Sequence, residues 1–260
     1  MFRPKVILQT GLFILIGSFL CSAQSDAQNK EVINPPQKRF EISFGGGWGL
    51  YRMTRFNNRM DEVAGYVELI GGHIDIDHID NGSTIFGEVG YFVSPKVSVN
   101  LGVTYLRGAG SYKENFIWTV DGYGDNSAVD TFLEEGSLTT TLVAPELKVK
   151  YHFPFEKTDL FLSGGVAWCF GKYVPKSTSG NLHLTAQGLG FLASTGAWYN
   201  LNKTISLGAE VGYRYFATGD LKNKDNDGYR KVGTAGSLTD YKMNLDFSGP
   251  FILGGLRLKL

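Results

Sequence analysis

The chain has 260 residues, with 25 Lys and Arg against 25 Asp and Glu, so its formal net charge is zero. That balance excludes the basic footprint of a nucleic-acid binder. Gly reaches 34 residues, nearly twice the usual share of about 7%, while charged residues make up only 19% and aromatics 13%. Gly together with Tyr and Phe suits a barrel wall, where glycine relieves crowding and aromatics mark interfaces.

The N-terminus reads as a secretory signal. Arg3 and Lys5 form the charged region, Val6 to Leu20 a mostly apolar core, and Cys21-Ser22-Ala23 the small residues at a cleavage position, so cutting is expected after Ala23. A lipoprotein acylated at Cys21 is the rival, but Phe19 and Leu20 are bulky where such a signal wants small residues. The cut leaves Cys169 as the sole cysteine, read as a small apolar wall or lumen residue. Residues 24–38, with Pro35-Pro36, form a polar periplasmic lead-in, and the barrel domain is expected over 39–260.

From Arg39 the chain alternates apolar and polar residues. Side chains on a strand alternate between faces, so such runs are strands with one apolar face. Strand one covers about 39–51, with Phe40, Ile42, Phe44, Trp48 and Leu50 on the apolar face. A long excursion, 52–83, precedes strand two at 84–93, and Ser94-Pro95-Lys96 turns into strand three at 97–107. The second excursion, 108–138, is acidic and read as a loop. Strands four (139–153) and five (159–171) follow with a short turn between them. Strand six ends in Trp198-Tyr199, and strand seven, 204–216, places Leu207, Ala209, Val211, Tyr213 and Tyr215 opposite Ser206, Glu210 and Arg214. A last loop, 217–245, leads to strand eight and Leu256-Arg257-Leu258-Lys259-Leu260.

Short turns alternate with long loops. An even strand number, with short turns at one end and long loops at the other, is the pattern of an outer-membrane barrel. The fold expected is all-β, an eight-stranded antiparallel up-and-down transmembrane barrel. A soluble secreted barrel would also alternate, but would turn a more heavily charged face to water. Here the polar face is mostly Gly, Ser, Thr and Asn. Aromatics gather at both ends: Tyr91, Phe92, Tyr151, Phe153, Trp198 and Tyr199 near the short turns, and Trp48, Tyr51, Tyr105, Trp168, Phe170, Tyr213 and Tyr215 near the long loops.

The Tyr91–Tyr105 hairpin (YFVSPKVSVNLGVTY), the Gly212-Tyr213-Arg214-Tyr215 stretch and the alternating C-terminal strand resemble the small eight-stranded outer-membrane barrels. That group includes the transmembrane domain of outer membrane protein A and the opacity-type surface proteins. The resemblance covers about residues 39–260. It implies the outer membrane of a Gram-negative cell, contact with its lipid and lipopolysaccharide, and recognition of the last strand by the barrel-assembly machinery. In this group that strand usually ends in Phe, whereas this chain ends in Leu260. A monomer is expected.

An eight-stranded barrel is only wide enough for side chains or one small ligand. Its inward charges should therefore form a network: Glu41, Glu88, Glu146, Lys148, Lys150, Glu210, Arg214, Arg257 and Lys259. The role expected for it is structural, since buried charges must be paired; the functional alternative is a narrow ion path. Glu210 and Arg214 lie about 13 Å apart along a strand and cannot pair. Counting from the short-turn end sets Arg257 near Glu210 and Lys259 near Glu41.

No catalysis, cofactor or metal is expected. The stretch Tyr215-Phe216-Ala217-Thr218 lacks the His and Ser that the barrel deacylases carry at the comparable place. Asn223-x-Asp225-x-Asp227-Gly228 starts like a calcium loop but has Thr234 where the bidentate Glu belongs. His73, Asp75, Asp77 and His78 offer donors without fixed geometry. The function expected is structural, or surface display and binding through loops 52–83, 108–138 and 217–245. The alternative is a narrow channel or small-solute-binding barrel.

Overall fold

A computed structural model describes residues 39–69, 71–120, 128–177, 180–181, 183–223 and 244–260. The expected signal, the lead-in and the calcium-like string beyond Asn223 lie outside the described residues.

Eight long strands carry the fold: β1 (Phe40–Leu50), β2 (Asn81–Ser94), β3 (Val97–Val120), β4 (Ala128–Pro154), β5 (Thr158–Ser177), β6 (Leu184–Asn200), β7 (Ile205–Asp220) and β8 (Gly249–Lys259). Each pairs antiparallel with its neighbours in sequence. The ring closes where β8 returns to β1, with Phe44 opposite Leu256 and Trp48 opposite Ile252. Closure leaves no strand edge in the ring, so the wall's ladder hydrogen bonds are made internally, as hydrocarbon surroundings require.

The alternation decides which solvent lies outside. Phe44, Ile85, Leu101, Leu147, Leu162, Val211 and Ile252 all point outward and are about 45–66% exposed. Each such side chain left in water forgoes about 1.5–3 kcal/mol of burial, so a whole wall of them is stable only against lipid. Between them Glu41, Ser43, Glu88, Asn100, Glu146, Lys150, Ser206, Glu210 and Arg257 point inward and are buried. No helix among the described residues is long and apolar enough to cross a membrane; the crossing is made by strands.

The excursions depart from the sequence reading. The stretch 108–138, read as a loop, is largely a continuation of β3 and β4, which reach 24 and 27 residues. A crossing needs roughly 9–11, so this hairpin rises well clear of the membrane. The alternation of Ser111, Lys113 and Asn115 with Tyr112 and Glu114 is weak, because above the lipid neither face must be apolar. The excursion 52–83 holds a 16-residue helix, α1 (Thr54–Leu69), closed by Gly71 in the left-handed region (φ 87°). It also holds a short strand, Gly72–Ile76, that pairs with Tyr112–Phe116 on the raised part of β3.

The aromatic belts are corrected at three positions. Tyr91, Phe153 and Tyr199 face outward near the short turns, and Trp48, Tyr105, Trp168, Phe170, Tyr213 and Tyr215 near the long loops. Trp198, however, is buried, and Phe92 brings its ring within 4.9 Å of His152 in the interior. Adjacent residues on a strand face opposite sides, so Tyr91-Phe92 and Trp198-Tyr199 can each give only one member to a belt. Tyr51 lies just past the end of β1 and folds over the barrel mouth, its hydroxyl donating to the Ser83 carbonyl at 3.0 Å.

Candidate functional site

The interior is stacked in layers from the short-turn end to the long-loop end. At the short-turn end, Arg257 is wholly buried and is the hub. Its Nη1 donates to Asp159 Oδ2 at 2.6 Å and lies 3.6 Å from Glu41 Oε2. Its Nη2 makes long contacts to Asn200 Oδ1 and Ser206 Oγ, and its guanidinium lies 5.0 Å from the Trp198 ring. Gly208 makes room for that ring, since a Cβ there would come within 2.3 Å of Trp198 Cε3.

Asp159 also accepts from His152, whose Nδ1 is 3.1 Å from Oδ2. On its other side His152 Nε2 is 3.0 Å from Ser98 Oγ, to which Asn100 Nδ2 donates at 2.8 Å. Ser98–His152–Asp159 has the order of a nucleophile, base and acid. Ser98 is wholly buried, though, and the His152 ring packs between Phe92 and Phe161. The arrangement reads as a hydrogen-bond chain tying strands together rather than a site that a substrate reaches.

One level up, Lys148 Nζ sits 3.0 Å from Glu88 Oε2 and 3.1 Å from Glu146 Oε2, and Lys150 pairs with the other oxygen of Glu88. Glu210 accepts from Ser194 Oγ at 2.6 Å. Above these lies Arg214, with no carboxylate among the described residues in ion-pair range. Its Nη2 donates to Thr84 Oγ1 at 3.2 Å, and its guanidinium lies between the rings of Phe251 (5.0 Å) and Tyr51 (5.6 Å). A Cβ on Gly49 would meet Arg214 Nη2 at 2.1 Å, so the guanidinium occupies space that this glycine leaves open.

The long-loop end of the interior is apolar. Tyr51, Met53, Phe56, Ile79, Leu106, Leu142, Cys169, Tyr173, Phe216, Leu245 and Phe247 form one buried cluster. α1 contributes Phe56, whose ring meets Tyr173 edge-on at 4.9 Å. Asn57 locks the helix down: its Oδ1 accepts from the Ile79 amide at 3.2 Å and its Nδ2 donates to Asp80 at 3.0 Å. The segment Asn244–Asp246 and Phe247 come in from the other side, the Phe247 amide donating to the Phe216 carbonyl at 2.8 Å.

The expected inward charges thus fall at separate levels. Glu88, Glu146, Lys148 and Lys150 meet directly; Glu41 and Arg257 meet more loosely; Lys259 stands opposite Glu41 in the ladder while its Nζ is 3.9 Å from Asp159. Glu210 and Arg214 take different partners. Arg257 is not level with Glu210: it pairs with Ser206, and Glu210 faces Leu253. The Lys259 amide donates to the Thr204 carbonyl at 2.8 Å, which sets the end of β8 flush with the start of β7 and drops Arg257 to the rim.

Sequence reasoning missed Asp159, His152, Asn100, Ser98 and Ser194. Asp159 could have been found, because it precedes outward-facing Leu160 and so must point in. Ser98 and Asn100 carry no charge to draw the eye. Of the histidine and acid strings, His78 meets Asp61 at 2.7 Å and His73 meets Asp75 at 3.4 Å, both exposed pairs at the loop end.

A closed antiparallel ring of eight strands, apolar outside and filled with paired side chains inside, defines a small transmembrane β-barrel. The sequence matches the family described as "Outer membrane protein beta-barrel domain" over residues 13–234, and the chain belongs to that family. It is a protein of the Gram-negative outer membrane. A comparison with curated proteins found no match.

Among solved structures it is similar to the outer membrane protein OprG of Pseudomonas aeruginosa, at 11% identity over 86% of this chain and 97% of that one, TM-score 0.47. It is also similar to Neisserial surface protein A, at 12% identity over 85% and 97%, TM-score 0.44. The attachment invasion locus protein Ail of Yersinia pestis follows at 13% identity over 85% and 99%, TM-score 0.40. Superpositions this loose carry no functional argument.

Proposed function

We propose that this protein is a non-conducting outer-membrane scaffold that presents structured elements outside the cell, where they contact an extracellular ligand. The observation that carries this reading is the filled interior. An apolar cluster from α1, the β-wall and residues 244–247 occupies the long-loop half, over layers of paired charges. Buried charges of opposite sign hold one another and leave little for a passing ion to gain. The alternative, a narrow channel or small-solute barrel, would need both the apolar cluster and the charge layers to part.

The display surface is the raised β3–β4 hairpin, the Gly72–Ile76 strand against it and the exposed face of α1. This is more structured than a set of mobile loops, which favours a defined contact over a simple solvated edge. No catalytic role is part of this reading. The chain is proposed to act as a monomer and to be inserted by the barrel-assembly machinery through β8.

Protease treatment of intact cells tests it. Cleavage inside 108–138 with the barrel core retained is the expected result. Resistance of that hairpin in intact cells, with cleavage only after the envelope is opened, would contradict the orientation and the display role together.

A further inference from the structure

Glu41 of β1, Gly90 of β2 and Asn100 of β3 stand in one row across the ladder at the short-turn end of the interior. Glu41 and Asn100 are wholly buried. Neither oxygen of the Glu41 carboxylate, nor Asn100 Oδ1, has a hydrogen-bond donor among the described residues. Both side chains lean over the glycine between them. A Cβ there would lie 2.2 Å from Asn100 Oδ1 and 2.8 Å from Glu41 Oε1, so these two acceptors are no more than 5.0 Å apart. Ser43 Oγ, the next inward group along β1, is a third wholly buried oxygen without a partner among the described residues.

Buried acceptors brought together need a donor or a positive charge between them. Arg257 does not supply it. Its Nη1 already donates to Asp159 at 2.6 Å, and it lies 3.6 Å from Glu41 Oε2, not the oxygen held over Gly90. The neighbouring hydrogen-bond chain does not supply it either. Asn100 gives its Nδ2 to Ser98, the Ser98 proton goes to His152 Nε2, and neutral His152 keeps its own proton on Nδ1 for Asp159. Turning the amide round would give Glu41 a donor but claim the Ser98 proton. His152 would then carry a second proton, between the rings of Phe92 and Phe161 and on the carboxylate that Arg257 already holds.

A water could donate to both acceptors but would leave the carboxylate's charge unanswered; a cation answers both. Carboxylate and amide oxygens are the ligands of hard cations. Calcium holds its oxygens at about 2.3–2.6 Å, and sodium has nearly the same radius, so two oxygens within 5.0 Å can both reach one such ion. One carboxylate matches a single positive charge rather than two. We propose that a sodium ion binds between Glu41 Oε1 and Asn100 Oδ1. It ties β1 to β3 across Gly90, next to the seam where Glu41 faces Lys259 of β8. The site is independent of whatever the raised hairpin contacts.

Thermal melts of the full chain in detergent, with sodium chloride replaced stepwise by choline chloride at fixed ionic strength and pH, test the assignment. Sodium should raise the wild-type midpoint by about 3–6 °C, the shift for a chain of this size at roughly ten times Kd. Glu41→Gln and Asn100→Leu should melt at the same temperature in both salts, whatever their own stability, while Glu210→Gln keeps the sodium response. A heat-modifiable gel shift retained by each variant verifies folding. A wild type indifferent to sodium would overturn the proposal, as a bridging water or a second proton on His152 predicts. A sodium response undiminished in Glu41→Gln would overturn it too, by placing the effect elsewhere.

Discussion

Arg257 on β8 reaches Asp159 on β5 at 2.6 Å, across the barrel interior and 98 residues away in sequence. Around that bond gather Glu41 of β1, Ser98 of β3, His152 of β4, Asn200 of β6 and Ser206 of β7, with Phe92 of β2 against the His152 ring. Every strand of the wall contributes one group to a single buried assembly. It spans the β1–β8 seam, the one junction that backbone pairing between sequence neighbours does not make, and so helps hold the ring closed.

Removing Arg257 alone should therefore cost more than removing it together with Asp159. Arg257→Leu leaves Asp159 buried without its strongest partner, a loss of about 3–5 kcal/mol. Asp159→Leu leaves the cation with Glu41 alone, 3.6 Å away, and should cost less. The double variant removes the stranded Asp159 carboxylate, leaves only Glu41 without its cation, and should recover part of the loss of Arg257→Leu. Urea unfolding from detergent micelles measures all three; simple additivity would count against direct coupling.

The middle layer ranks its own residues. Glu88 serves two buried lysines, Lys148 and Lys150, whereas Glu210 is held by a single Ser194 hydroxyl. Glu88→Gln should lower the midpoint of unfolding clearly more than Glu210→Gln, because it leaves Lys150 without a carboxylate partner and Lys148 with Glu146 alone in a low-dielectric interior. Thermal melts of the two variants side by side decide this, and equal losses would show that the layer is not organised around Glu88.

The apolar cap should behave as a packed core. Phe56→Ala empties a site that is 1% exposed and should cost roughly 3–5 kcal/mol for the cap. Since the β-wall below does not depend on Phe56, the effect should appear as local opening of α1. Hydrogen exchange of the 54–69 amides should accelerate while those of β7 and β8 stay protected. Uniform acceleration through the barrel would contradict this division.

Gly49 and Arg214 form a size constraint. Gly49→Ala places a methyl 2.1 Å from the present position of Nη2, so the guanidinium must leave its place between Tyr51 and Phe251. Overpacking of this kind costs typically 1–3 kcal/mol. Arg214→Met in the Gly49→Ala background should relieve it. If Gly49→Ala is neutral alone, the guanidinium is not fixed where the contacts place it.

The barrel wall was legible because the hydrocarbon imposes a strict two-residue period: Leu207, Val211 and Tyr215 against Ser206, Glu210 and Arg214 leave no other reading. Where that pressure ends, so does legibility. Above the rim, the continuation of β3 and β4 through 108–138 looks like an acidic loop, since neither face has to be apolar. α1 was hidden for the same reason; only Phe56, Asn57 and Val67 mark its buried side, too few to stand out. In the lumen, charge alone drew attention, so Glu88 and Lys148 were found while neutral Ser98, Asn100 and Ser194 were not. Levels across the ring were the weakest inference, because they depend on register: the Lys259–Thr204 hydrogen bond, not the residue count, sets Arg257 four places below Glu210.

The claim that the interior is closed by side chains is tested most directly by planar-bilayer recording of the purified full chain. The prediction is a flat baseline for the wild type under an applied potential, and no steps from Glu210→Ala, because the other charged layers and the apolar cap remain. Reproducible unitary steps from the wild type, altered in size or ion preference by Glu210→Ala, would contradict the account and establish the lumen as a path.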